Sequence, residues 1–373
     1  MTSPSFENTE RYESRVYYRN FDAIRLLAAS SVIFSYAFLI ATGADTTDPL
    51  KSTGYTTAVY GIFILFILSG FWVTESARRS ATLGDFIRKR FLRIMPALVV
   101  STLVITYGIC PLFDQSGWWE FVKSPSVLSE VLQVITLHSK DLHFANVAFY
   151  LSSYANDMLP GTASSVLWTI RLGVMGYLFI GLMALAGLFN PRRWFALLLV
   201  LLLAVGGASL IWIYAISPPW LGELLFILPA LVCGIFMNLL VRYHKPRIWL
   251  ALLLLMGIVP AVQYGVLAQA FPFLVAYPLI WLGSLRLPLL TRGYTGTDIS
   301  YGVYLYGWPL TQVMRGFMGP GLSGYELTLY ALPLTLLVAW LSWRLVEKPA
   351  LRFKNGFPAL RLGAGYTAEQ ASG

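Results

Sequence analysis

The sequence predicts an all-α integral membrane protein: one bundle of about ten transmembrane helices with its N- and C-termini in the cytoplasm. Three observations carry that expectation. The chain of 373 residues is 57% hydrophobic and 12% charged, against about 25% charged in a soluble domain, so much of its surface must face lipid. Ten apolar runs approach the roughly 20 residues that a span requires. When those runs are threaded through a membrane, the basic residues sort almost entirely to one side.

The runs fall at about 24–41, 57–74, 91–113, 166–188, 194–215, 223–241, 248–265, 268–285, 299–317 and 327–346. The seventh and eighth are hardly separated. The longest connection, 114–165, is mixed, with Trp118, Trp119, His138 and His143 and room for amphipathic or re-entrant pieces. The expected organisation is a cytoplasmic tail over 1–20, one transmembrane domain over 21–349 and a cytoplasmic tail over 350–373. The polar first 20 residues make the first apolar run a retained anchor rather than a cleaved signal.

With the N-terminus inside, the inner segments hold Arg11, Arg15 and Arg19, the cluster from Arg78 to Arg93, Arg192 and Arg193, Arg242 to Arg247, Arg286, Arg292, and the run from Arg344 to Arg361. The outer loops keep only Lys51, Lys123 and Lys140, while Arg25, Arg171 and Arg315 lie in or at the edges of spans. A wrong helix count would scramble this sorting. It also removes nucleic acid as the meaning of the +9 net charge, which is spread over short loops rather than one face. Cys110 and Cys233 sit in apolar runs with no CxxC pattern. His138, His143 and His244 have no helix-spaced partner, so neither a disulfide framework nor a metal site is expected.

A charge at a helix centre costs roughly 2.5–3.5 kcal/mol on insertion scales, which makes each intramembrane arginine a candidate for chemistry. In FDAIRLLAASSVIFSYAF, Arg25 follows Asp22 and sits one turn into the first span. Tyr36 lies close to three whole turns further on, about 16 Å along the axis, so the two share a face. Arg25 reads either as a functional group or as a snorkelling arginine paired with Asp22, and Tyr36 either as a functional phenol or as packing. In DFIRKRFLRIMPA, Arg90 and Arg93 are spaced i, i+3 at the cytoplasmic mouth of the third span, with Arg88 beside them. Pro96 removes a backbone hydrogen bond just beyond and predicts a kink. Guanidinium forks grip phosphate in a bidentate way, so the cluster suits a nucleotide or coenzyme A; its other reading is a positive-inside stop signal.

In VLWTIRLGVMGYLF, Arg171 lies about 8 Å into its span from the outer side, Trp168 belongs to the aromatic belt, and Gly173 and Gly176 admit a close helix. SYGVYLYGWPLTQ is an aromatic helix carrying Tyr304, Trp308 and Pro309, and WRLVEKPALR closes the last span. Each of these two segments, taken alone, reads more as packing than as chemistry.

In order along the chain, FDAIRLLA at 21–28, FILSGF at 66–71, RKRFLRIMPA at 88–97, LWTI at 167–170, SYGVYLYGWP at 300–309 and WRLVEKP at 343–349 resemble membrane acyltransferase family 3. These are ten-helix bacterial proteins that move acetyl and related groups onto envelope saccharides. The resemblance implies an acyltransferase of the bacterial inner membrane. It would use acetyl-CoA or another acyl-CoA as co-substrate, hold no tightly bound cofactor, and take a carbohydrate acceptor such as exopolysaccharide or lipopolysaccharide on the outer side. It implies that Arg88, Arg90 and Arg93 hold the coenzyme's phosphates. Arg25 opens the family's pattern of a basic residue, ten others and a histidine, which serves as the base. Trp168, Arg171, Tyr304 and Trp308 are the candidate substrate-binding residues.

Two positions depart from the pattern. Tyr36 stands where the base histidine is expected, and an unperturbed phenol is only about 0.1% ionised at pH 7, a deficit near 4 kcal/mol. Gly173 stands where members commonly place a glutamate. A catalytically silent member that binds acyl-CoA or lipid, or serves an envelope assembly, is therefore the alternative reading, and a transporter the third.

Overall fold

The computed structural model describes residues 20–355 except 81, 115, 140, 145, 146, 148, 150–161, 190–192, 194–218 and 286–296. The expected fifth span at 194–215 lies outside the described residues, as do nearly all of both tails and Lys140, Arg192, Arg286 and Arg292. What is described is a helical bundle. Its helices are α1 (Asn20–Thr42), α2 (Thr57–Arg79), α3 (Leu83–Val104), α4 (Trp118–Lys123), α5 (Pro125–Ile135), α6 (Leu167–Leu185) and α7 (Pro219–Leu240). Then come α8 (Ile248–Met256), α9 (Ile258–Gln263), α10 (Leu267–Ser284), α11 (Ser300–Met318), α12 (Gly324–Ser342) and α13 (Lys348–Arg352).

Seven helical segments among the described residues are long and apolar enough to cross a membrane: α1, α2, α3 with its continuation to Leu112, α6, α7, α10, and α12 with its continuation to Arg352. The fold is that of an all-α, multi-pass membrane protein. Two of the remaining expected spans take other forms. The run at 248–265 breaks at Gly257 into α8 and α9, shorter together than a full span. The run at 299–317 is α11, whose tyrosines, Gln312 and Arg315 make it too polar on average to face lipid. It faces protein instead, and Trp308 at its middle is 0% exposed.

Around α11 the packing follows from small residues. α1 is held between α2, α11 and α12, and Gly307 of α11 leaves room for Ile33 of α1. α2 lies closely against α7 because Gly70 and Gly234 face each other's backbones: a Cβ on Gly234 would collide with the Ile67 carbonyl, and one on Gly70 with that of Leu231.

The start of α3 differs from the expected apolar run. The helix begins at Leu83, not near 91, so the basic cluster is helical rather than loop. Its cap explains this. The Thr82 side chain accepts the Asp85 N–H, and Asp85 pairs with Lys89 at 2.5 Å and Arg88 at 3.2 Å along the first turns. The helix runs through Pro96 and ends in a π turn at Ile105–Ile109. Beyond it the 114–165 connection forms α4, α5 and a two-stranded antiparallel ribbon, β1 (Leu142–His143) with β2 (Thr162–Ser164), pairing Leu142 with Ser164 and His143 with Thr162.

Candidate functional site

Two helices and two chain segments converge on the first half of α3. α1 contributes Arg25, α3 contributes Arg90 and Arg93, the segment before α11 contributes Asp298, and the π turn after α12 (Trp343–Glu347) contributes Glu347. Arg25 Nη1 lies 3.1 Å from Asp298 Oδ2, and Arg93 Nη2 reaches the same oxygen at 2.5 Å. The other end of the Arg93 fork reaches Glu347 Oε2 at 3.1 Å, and Glu347 is 2% exposed. Two guanidiniums and two carboxylates therefore balance in a partly buried cluster, as groups removed from water must. Asp298 Oδ1 also accepts the Ser300 hydroxyl at 2.5 Å and its N–H at 3.3 Å, at the positive end of the α11 dipole. Burial pushes the Asp298 carboxyl up, but Arg93, Arg25 and the Ser300 bonds outweigh it and hold the group below its ordinary value.

Arg90 differs from its neighbour one turn on. Its Nη2 donates to Ser76 Oγ at 3.0 Å and its guanidinium lies 5.8 Å from the centre of the Tyr177 ring, while its buried Nε has no hydrogen-bond partner. No carboxylate among the described residues pairs with it. Lys354 stands close by. Burial, then the repulsion of Arg90, Lys89 and Arg93, lowers its pKa from the ordinary lysine value. Among the described residues, this end of the bundle thus carries cationic charge that no acid pairs with, the condition for binding an anion.

The charges line a cavity of about 580 Å³ between α1, α2, α3, α6 and α11. Its polar end has Arg79, Lys89, Arg90 and Lys354, and its apolar wall has Ile62, Leu65 and Phe66 of α2 facing Ile170 of α6. Going inward along α6, Tyr177, Gly173 and Thr169 line it at steps of one turn. An added Cβ at Gly173 would meet nothing within 4 Å, so the wall there is bare. The last residues are Tyr304 and Thr169, whose hydroxyls lie 2.7 Å apart; the Thr169 hydroxyl donates to Val166 O at 2.8 Å and so accepts from Tyr304.

The structure brings Arg25, Arg90, Arg93, Gly173 and Tyr304 to one cavity. It separates the other expected residues from it. Arg88 turns outward to Asp85 and the Lys354 carbonyl at 3.2 Å each, because its position on α3 faces away from Arg90 and Arg93. Arg171 pairs with Glu223 of α7 at 3.7 Å, and Trp168 packs half-buried against the core. Tyr36 and Trp308 lie one turn beyond the cavity's end, rings edge-on at 4.9 Å. There the Tyr36 hydroxyl points at the Ser165 carbonyl 3.5 Å away, and Trp308 Nε1 donates to Thr162 O at 3.0 Å. The snorkelling pairing of Arg25 with Asp22 gives way to Asp298.

Sequence reasoning missed Asp298 and Thr169, and it took Glu347 as part of a packing motif. It also missed Glu75, which pairs with Arg79 along its own helix and with Arg242 of the chain just after α7 at 3.2 Å. Acids in or beside apolar runs were the available signal.

Residues 18–346 match the family model for the acyltransferase domain, family 3. The chain belongs to that family. The acyltransferase match spans the convergence of Arg25, Arg90, Arg93 and Asp298 and stops beside Glu347. Among its relatives, nodulation protein 10 of Rhizobium leguminosarum bv. viciae is 28% identical over 92% of this chain and 96% of that protein. An O-acetyl transferase of Shigella phage Sf6 is also 28% identical, over 88% of this chain and 94% of that protein. No solved structure matches the chain. Family and relatives together support a membrane O-acyltransferase.

Proposed function

We propose that this acyltransferase takes an acyl-CoA from the cytoplasmic side and passes the acyl group, acetyl by similarity to the phage protein, to a saccharide hydroxyl presented from the outer side of the inner membrane. The observation that carries the reading is Arg90, a half-buried guanidinium with no carboxylate partner among the described residues, beside Lys354 at the polar end of the cavity. A phosphorylated donor supplies the missing anions, and charge-assisted bonds to phosphate are stronger than neutral ones. Arg93 is a positioning residue in this reading. It fastens the start of α11 and the end of α12 through Asp298 and Glu347 and leaves Arg90 free to meet phosphate.

The acceptor hydroxyl must lose a proton as the acyl carbon is attacked. The reading places that step near Tyr36, where the family's histidine is replaced, so Tyr36 limits turnover. The silent-member alternative draws on the same spot: the Tyr36 ring is packed against Trp308, outside the cavity lining. Coenzyme A binding in detergent, measured for the natural chain and for Arg90→Gln with Lys354→Met, tests the donor. Transfer of radiolabelled acetyl to saccharide in membranes separates enzyme from silent member. Equal coenzyme affinity in the natural and double-variant chains would remove the donor reading.

A further inference from the structure

We propose that the arm of the donor runs along the bare wall at Gly173 and sets its thioester carbonyl against the hydroxyl of Tyr304, which donates to it. This rests on the acyl-CoA reading above and assigns the place of the reacting carbonyl. From the coenzyme's diphosphate to its sulfur there are about 13 bonds, roughly 16 Å when extended, by bond lengths like those of a peptide chain. With the phosphates at Arg90, the path starts at the level of Tyr177, over whose ring that guanidinium sits. Thr169 is two turns inward, about 12 Å by helical rise, and is level with Tyr304 through their 2.7 Å hydroxyl contact. The sulfur and carbonyl therefore arrive at this hydroxyl pair, at the cavity's end.

The way there is open at Gly173, midway between Tyr177 and Thr169, where no atom lies within 4 Å of an added Cβ. Apolar Ile62, Leu65 and Phe66 face it across the cavity, matching an uncharged arm. The hydrogen-bond ledger also fits. Thr169 donates to Val166 O, so only its lone pair holds the Tyr304 O–H. Tyr304 can redirect that proton to a carbonyl oxygen while Thr169 keeps its bond to Val166, and no group is stranded. The donated bond strengthens as the carbonyl gains negative charge during attack by the acceptor oxygen.

Isotope-edited infrared spectroscopy of carbonyl-labelled acetyl-CoA bound to the detergent-solubilised chain reads the contact without requiring turnover. The expected result is a carbonyl band moved to lower wavenumber in the natural chain and returned toward its unbonded position in Tyr304→Phe. A second variant is independent of that hydroxyl. Gly173→Leu fills the path and is expected to lose about tenfold in coenzyme A affinity while binding of adenosine 3′,5′-diphosphate, which has no arm, changes less than about threefold. An unmoved band in the natural chain, or the same band in Tyr304→Phe, overturns the proposal, as does equal loss of both ligands in Gly173→Leu. If neither ligand binds the natural chain, the donor reading falls and this one with it.

Discussion

Arg90 and Arg93 are one turn apart on the same helix, yet they have different partners, and replacing each by glutamine tests the binding and positioning roles proposed for them. In Arg93→Gln, Glu347 loses its ion-pair partner at 3.1 Å while only 2% exposed. Asp298 keeps Arg25 at 3.1 Å. Removing one member of a buried pair costs about 3–5 kcal/mol, and the surviving Arg25–Asp298 contact places this case near the lower end. Arg90→Gln strands no carboxylate among the described residues, so its effect on stability stays within about 0.5 kcal/mol. In the proposed donor reading it removes charge-assisted bonds to phosphate worth about 1.5–3 kcal/mol, or roughly 10- to 150-fold in coenzyme A affinity. Thermal unfolding in detergent and coenzyme binding, measured on both variants, give the contrast. Adding Glu347→Gln to Arg93→Gln is expected to restore most of the lost stability, since it removes the stranded acid. Should Arg93→Gln unfold at the natural temperature, or should both variants lose affinity equally without loss of stability, the division between a positioning and a binding arginine is wrong.

Tyr36→His is expected to raise acetyl transfer to saccharide at pH 7 by tenfold or more, the reference ionisation deficit allowing up to about a thousandfold; a natural chain already as fast would show that histidine is not needed. Gly234→Ala is expected to destabilise the bundle by about 1–3 kcal/mol, because its Cβ meets the backbone of Ile67 and Phe71, which cannot yield; Gly173→Ala, pointing into open space, costs nothing comparable in the same melt. Coenzyme affinity should fall with rising pH earlier than an ordinary lysine would allow. Lys354 is charged below its lowered pKa and loses that charge as pH climbs through it, amid Arg90, Lys89, Arg93 and Asp85. Lys354→Met should flatten that limb of the affinity–pH curve.

Much of the fold was readable from local signals. Apolar run length predicted seven of the spans, since a helix in lipid must satisfy its own backbone within one segment. The same logic misjudged α8 and α9, where Gly257 interrupts the run, and could not say that α11 is wrapped in protein. At the site, i, i+3 spacing put Arg90 and Arg93 on one face and both line the cavity, whereas helical phase grouped Arg25 with Tyr36 and only Arg25 lines it.

Composition, apolar run length and charge sorting predicted a multi-pass membrane protein with arginines at a helix mouth, and the ordered motifs carried its resemblance to the acyltransferase family. They are properties of short stretches, and any chain with those stretches would show them. Which arginine is neutralised was settled by acids 205 and 254 residues from Arg93, and the Tyr304–Thr169 contact joins residues 135 apart. Packing alone brings such groups together. Charge compensation depends on separation in space through Coulomb's law, and distance along the chain does not enter it.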